Sequence, residues 1–148
     1  MKAQLIHEQG EKTFAVVFEK GDEVVSGLHE FARRHRLTAA HFTAVGAFSD
    51  VTLGYFERER KAYKKIPLRE QVEVLSLVGN IALAKGIPKV HAHVVVGKSD
   101  GTAHGGHLLE AHVWPTLEVM VTESPQHLRR DIDGETGLAL LGAEPSPG

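Results

Sequence analysis

The sequence predicts a single α+β domain whose sheet is mainly antiparallel, with one strong amphipathic helix packed on it. One stretch alone carries a helical period, between about residues 22 and 35, while several others are short and rich in β-branched and aromatic residues. The breaks between those runs are brief and mostly marked by Gly or Pro, which suits antiparallel neighbours; parallel units need crossovers of a dozen residues or more. The 148-residue length fits one core.

Taken in order, Thr13-Phe14-Ala15-Val16-Val17-Phe18 reads as a strand closed by the turn Lys20-Gly21-Asp22. Asp22 is the expected cap of the helix. Val24, Val25, Leu28, Phe31 and Ala32 then recur at three- and four-residue steps, with Glu30, Arg33 and Arg34 on the opposite side. Further strands are expected at Ala39 to Val45, Thr52 to Phe56, Val72 to Val78, Val90 to Val96 and Glu118 to Thr122. The charged stretch Arg58 to Lys65 reads as an exposed connection. Residues 1–123 form the expected core, 124–143 a C-terminal extension packed on it, and 144–148 a frayed tail.

Composition narrows the chemistry. Zero cysteines exclude disulfides, thiolate metal sites and a cysteine nucleophile. A formal charge of −2 makes nucleic acid an unlooked-for partner, and no apolar run suggests a membrane span. The first residues lack the apolar stretch of a secretory signal, so a cytoplasmic location is expected. What stands out is 10 histidines, each a metal ligand or proton carrier near neutral pH.

The informative stretch runs from Val90-His91-Ala92-His93-Val94-Val95-Val96-Gly97 through Lys98-Ser99-Asp100-Gly101-Thr102 to Ala103-His104-Gly105-Gly106-His107, and reads as a β-hairpin. The two-residue strand period sends His91 and His93 to one face and Val90, Ala92, Val94 and Val96 to the other. A three-residue loop at Ser99-Asp100-Gly101, ending in a left-handed glycine, pairs Lys98 with Thr102 and therefore His93 with His107. A two-residue loop at Asp100-Gly101 shifts the count by one and turns His107 to the opposite face. In the first register three imidazoles converge, the ligand set of a zinc site with an open fourth position. Gly105 and Gly106 leave that space uncrowded, and Glu110 or Glu118 is a candidate to orient a ring or accept a proton. His104 lies off the face, and His112 is a reserve ligand.

Other patterns carry less. His29 and His35 are six apart, where the HExxH zinc helix needs four, and read as solvated helix residues. Asp131-Ile132-Asp133-Gly134-Glu135 echoes a calcium loop with its glycine misplaced, and reads as a turn. Ser76 falls inside a strand. Lys61, Tyr63, Lys64 and Lys65 form a basic-aromatic cluster, read as a solvated loop or, repeated in an oligomer, as a modest DNA footprint. Leu75, Leu77, Phe56 and Trp114 suit a core or a subunit interface equally.

Val45-Gly46-Ala47-Phe48-Ser49-Asp50 with Thr52-Leu53-Gly54-Tyr55-Phe56, then Glu73-Val74-Leu75-Ser76-Leu77-Val78-Gly79-Asn80-Ile81-Ala82, and finally the histidine hairpin, resemble bacterial members of the PPC (plants-and-prokaryotes-conserved) domain family over about residues 5–123. The resemblance implies a homotrimer of α+β subunits whose HxH and GGH histidines, here His91, His93 and His107, hold zinc or another divalent transition metal. Its wider fold group resembles acetolactate decarboxylase and a zinc-dependent ester hydrolase, so any activity implied is that of a metal-dependent hydrolase or lyase acting on a small molecule or oxyanion. Plant relatives carry AT-hook segments that bind DNA, but the Arg-Gly-Arg-Pro core of the hook is absent here. The alternative expectation is a non-catalytic DNA-associated or protein-interaction module with structural histidines.

Overall fold

A computed structural model of the chain describes residues 1–7, 9–125 and 127–142. Its strands are β1 (Lys2–His7), β2 (Thr13–Glu19), β3 (Ala39–Glu57), β4 (Ala62–Leu68), β5 (Val72–Ala84), β6 (Ile87–Gly97), β7 (Ala103–Glu123), β8 (Arg129–Ile132) and β9 (Ala139–Gly142), with α1 (Val24–Arg34) between β2 and β3. The domain is thus mainly sheet, with one short helix, and every ladder is antiparallel except a brief parallel one between β5 and β8. The tail expected at 144–148 lies outside the described residues. Among the described residues no helix is long and apolar enough to cross a membrane.

Two long strands organise the sheet. β7 gives one edge to β3 and divides the other between β6, near residues 103–107, and β2, near 116–122. β3 divides its second edge between β5 and β4. Because β5 also pairs with β6, the ladders β3–β5–β6–β7 close into a circuit. The strands expected at Ala39 to Val45 and Thr52 to Phe56 are one continuous strand, bent by register shifts rather than ended by them. Gly46 sits at such a shift with φ 152°, and a Cβ there would stand 2.3 Å from the Thr116 carbonyl oxygen.

Alternation places Phe42, Ala44, Phe48, Val74, Leu77, Val94, Val96, Val119 and Val121 inside, together with the helix stripe Val24, Leu28, Phe31 and Ala32. Phe14 meets Phe31 edge-on at 5.2 Å between centroids. Leu77 belongs to this core, whereas Leu75 and Trp114 are exposed.

Three expectations need correction. The helix cap is Glu23, not Asp22: its carboxylate accepts from the Val25 and Ser26 amides at 3.0 and 2.7 Å and also from Ala111 on β7 at 3.3 Å. Asp22 instead accepts from the Glu19 amide across the preceding turn. His29 and His35 are not solvated. His29 Nδ1 lies 2.9 Å from the Val25 carbonyl, its Nε2 accepts from the Val90 amide at 3.1 Å, and the ring so clamps the helix to β6; His35 packs on Phe14 and Phe31. The charged stretch after Arg58 is a loop only briefly, since Tyr63, Lys64 and Lys65 lie in β4, paired with β3. The turn expected near Asp133 is present: Asp133 accepts from the Thr136 amide and hydroxyl and joins β8 to β9.

Candidate metal centre

The hairpin of β6 and β7 has the three-residue loop. Lys98 donates to the Thr102 carbonyl and Gly101 to the Lys98 carbonyl, both at 2.9 Å, with Gly101 at φ 82°. Asp100 Oδ1 accepts from the Thr102 amide and hydroxyl at 2.9 and 2.6 Å, which pins the turn. The register that follows pairs His93 with His107 and Val95 with Gly105. Ala92, Val94 and Val96 enter the core, so the histidines leave the other face.

Three rings meet there. Centroid separations are 5.1 Å for His91 and His93, 5.1 Å for His91 and His107, and 5.5 Å for His93 and His107. One nitrogen from each lies within 4.8 Å of the others. His91 Nε2 and His93 Nε2 are 3.3 Å apart; a tetrahedral ion with Zn–N bonds near 2.0–2.1 Å separates two ligand nitrogens by about 3.3–3.4 Å. His107 Nδ1 is buried with no hydrogen-bond partner. Neutral nitrogen donors, one pair already at bonding separation and one orphaned polar atom on the third ring, fit a borderline cation of the zinc type.

Electrostatics keep the donors ready. Burial, then the neighbouring His91 and His93, lowers the His107 pKa to about 4. Burial also lowers His91, aided by the Arg130 guanidinium and His93. The lone pairs of His91 and His107 are therefore free near neutral pH, where a proton would otherwise compete with a metal.

Of the remaining candidates, neither Glu110 nor Glu118 belongs to the histidine group. Glu110 pairs with Thr52 beside a register shift, and Glu118 pairs with Val17 and Val45 further along β7. His104 pairs with Val96, off the face. His112 is no reserve ligand: its Nδ1 is 3.0 Å from Asp50 Oδ1, and this hydrogen bond raises its pKa despite burial. In metal-free protein, imidazole NMR is expected to give His107 a midpoint near 4 and His112 one above its usual value, about 6.5. His107 is depressed in the fold, so its contribution to stability falls as pH drops from about 6.5 toward 4. His112 is raised, so its contribution is full below about 6.5 and is lost as pH climbs through its folded value. An ordinary His107 midpoint would mean that the ring is not buried as described.

Two neighbours escaped the sequence reading. Tyr63, on β4, stacks on His107 at 4.7 Å between centroids and 28° between planes. Gly54 makes room for it, because a Cβ there would stand 2.9 Å from the Tyr63 ring. Arg130, on β8, is buried and donates to Asn80 Oδ1, and Asn80 pairs with His91 across β5 and β6. Basic-aromatic spacing flagged Tyr63 without giving it a role; nothing local to Arg130 signals its position.

Comparison with known proteins bears on both fold and site. The chain matches the Plants and Prokaryotes Conserved (PCC) domain over residues 6–125. It is 29% identical over 127 residues to the bifunctional protein GlmU of Synechococcus sp. (strain JA-3-3Ab), which covers 84% of this chain and 19% of that protein, so the chain spans about a fifth of that curated relative's length. Among solved structures, a plant- and prokaryote-conserved protein of Pyrococcus horikoshii is 31% identical, with TM-score 0.84 and coverage of 97% of this chain and 96% of that one. A metal-containing protein of Archaeoglobus fulgidus is 38% identical, with TM-score 0.82 over 97% of this chain and all (100%) of that one. A protein of Ralstonia eutropha JMP134, named a candidate DNA-binding protein, is 33% identical, with TM-score 0.83 and coverage of 88% and 91%.

Proposed function

From the premise that the chain belongs to the Plants and Prokaryotes Conserved domain family, we propose that it is a homotrimeric metal-binding protein whose His91, His93 and His107 hold zinc or a similar divalent ion with a position open to a small molecule. The observation that carries this reading is the convergence of three neutral-donor rings, with the His91 and His93 nitrogens 3.3 Å apart. The metal-containing Archaeoglobus fulgidus relative supports it. When bound, such an ion supplies Lewis acidity toward an oxygen or carbonyl ligand. This chain's own residues supply the neutral donors and the turn that aligns them, while Tyr63 covers one face of the His107 ring.

Association of subunits, though not their number, has separate support. Val17, Val45, Leu75, Val78, Val95 and Met120 are all exposed. The register runs Met120 to Thr43 to Val78 to His93, so apolar positions lead across the sheet to the histidines. An apolar strip of this kind is seldom left to water.

The metal reading is tested by elemental analysis of protein purified without added nickel. Near-stoichiometric metal is expected for the wild type and its loss for a His91→Ala/His93→Ala variant; equal substoichiometric metal in both would remove the reading. A second reading, a DNA-associated module, has the name of the Ralstonia eutropha relative in its favour. It predicts DNA binding that weakens steeply with salt through Lys61, Lys64 and Lys65.

A further inference from the structure

The charges around the histidine centre do not balance. Three neutral imidazoles bring no negative charge to a divalent ion, and no carboxylate belongs to the ligand group among the described residues. The permanently charged group that bears on His91 is the Arg130 guanidinium. Arg130 is itself 8% exposed, and its hydrogen bonds go to two neutral oxygens, Asn80 Oδ1 and the Ala139 carbonyl at 3.3 Å. Its Nε is buried with no partner, and among the described residues it forms no ion pair.

A buried guanidinium ordinarily has a carboxylate beside it, because an unpaired charge in a low dielectric is costly. Here the group at Arg130's hand is Asn80, directly across the β5–β6 ladder from His91. Residues so paired leave the sheet on the same face with Cβ atoms about 4.5–5.5 Å apart. The hairpin β8–β9 thus delivers a fixed positive charge to the edge of the histidine centre, and among the described residues no carboxylate pairs with it.

We infer that the ligand of this centre is a small oxyanion, carboxylate or phosphate in type, and that Arg130 is the residue that sets this preference by supplying the protein's counter-charge to it. The inference rests on the metal reading above and adds the class of ligand. An anion beside the ion and the guanidinium balances both, and a neutral ligand balances neither.

Chelator competition for zinc, paired with calorimetric titration of acetate and of inorganic phosphate, tests this in wild type, Arg130→Gln and Arg130→Lys. The zinc-loaded wild type is expected to bind at least one of the two anions, and the metal-free protein neither; which anion binds tells carboxylate from phosphate. Arg130→Gln is expected to weaken that binding about tenfold or more, yet to tighten zinc severalfold in anion-free buffer because a repelling cation has gone. Arg130→Lys should recover part of the anion affinity. Opposite signs are the mark of a counter-charge, since damage to the scaffold would lower both affinities. Should Arg130→Gln fail to fold, Arg130→Lys decides: its anion affinity is expected to fall severalfold while its zinc affinity stays near that of the wild type, and an unchanged anion affinity would overturn the inference. Equal anion affinity in wild type and Arg130→Gln, parallel loss of zinc and anion, or no anion binding to zinc-loaded wild type would each overturn the inference. Failure of the metal reading shows separately, as wild type that takes up no zinc before any anion is added.

Discussion

His107→Ala is expected to weaken zinc binding by more than about a hundredfold, while His104→Ala leaves it within a few-fold of wild type, both read by chelator competition. The two histidines are three positions apart on β7, and the loop at Ser99-Asp100-Gly101 decides which of them faces His93. Removing a residue that merely orients a metal ligand typically costs 10–100-fold in affinity, so loss of a ligand itself should exceed that range. His104→Ala controls for any general effect of deleting an imidazole from this strand. A larger loss for His104→Ala than for His107→Ala would show that the register in solution is not the one described, because a one-residue slip exchanges the faces.

Gly46→Ala is expected to destabilise the fold by about 3 kcal/mol or more, from backbone strain and steric overlap together. For a chain of this size that corresponds to a fall of roughly 10 °C in Tm. The φ of 152° is seldom adopted by residues with a side chain, and the added methyl would meet backbone on the neighbouring strand, with Leu117 Cα at 2.8 Å as well as the Thr116 oxygen. Backbone cannot rotate aside as a flexible side chain can. Gly101→Ala makes a useful comparison: its φ is also positive, but open space surrounds it, so strain alone should cost about 1 kcal/mol. Thermal denaturation of the two variants separates strain from overlap, and a Gly46→Ala protein no less stable than Gly101→Ala would contradict the close approach of β3 and β7.

The histidine hairpin was legible because everything that places it is local. Strand alternation, a glycine-tipped turn and a short count back along two strands suffice to bring His93 opposite His107. Tyr63 was not legible as part of the site. Its strand carries charges on an exposed edge, as edge strands commonly do, and in sequence this looks like a solvated loop. Nor could Arg130 be placed, since a hairpin near the C-terminus must dock beside β5 before its side chain reaches Asn80. The long strands β3 and β7 were read as fragments or in part because register shifts break the alternation that a sequence reader counts. Glu23 displaced Asp22 as the cap through an extra bond to Ala111, a partner that only the folded sheet supplies.

The closed circuit of β3, β5, β6 and β7 bears on which ions the protein will accept. His91 and His93 stand on a strand hydrogen-bonded along much of its length to β5, and His107 on one held by β6 and β3. A mouth held open by such stiff walls cannot stretch for a large guest or shrink for a small one, so discrimination among cations should follow radius and donor softness. Calcium, which asks for six to eight oxygens at 2.3–2.6 Å, should be turned away even at high concentration, while cobalt and nickel compete with zinc on nearly equal terms.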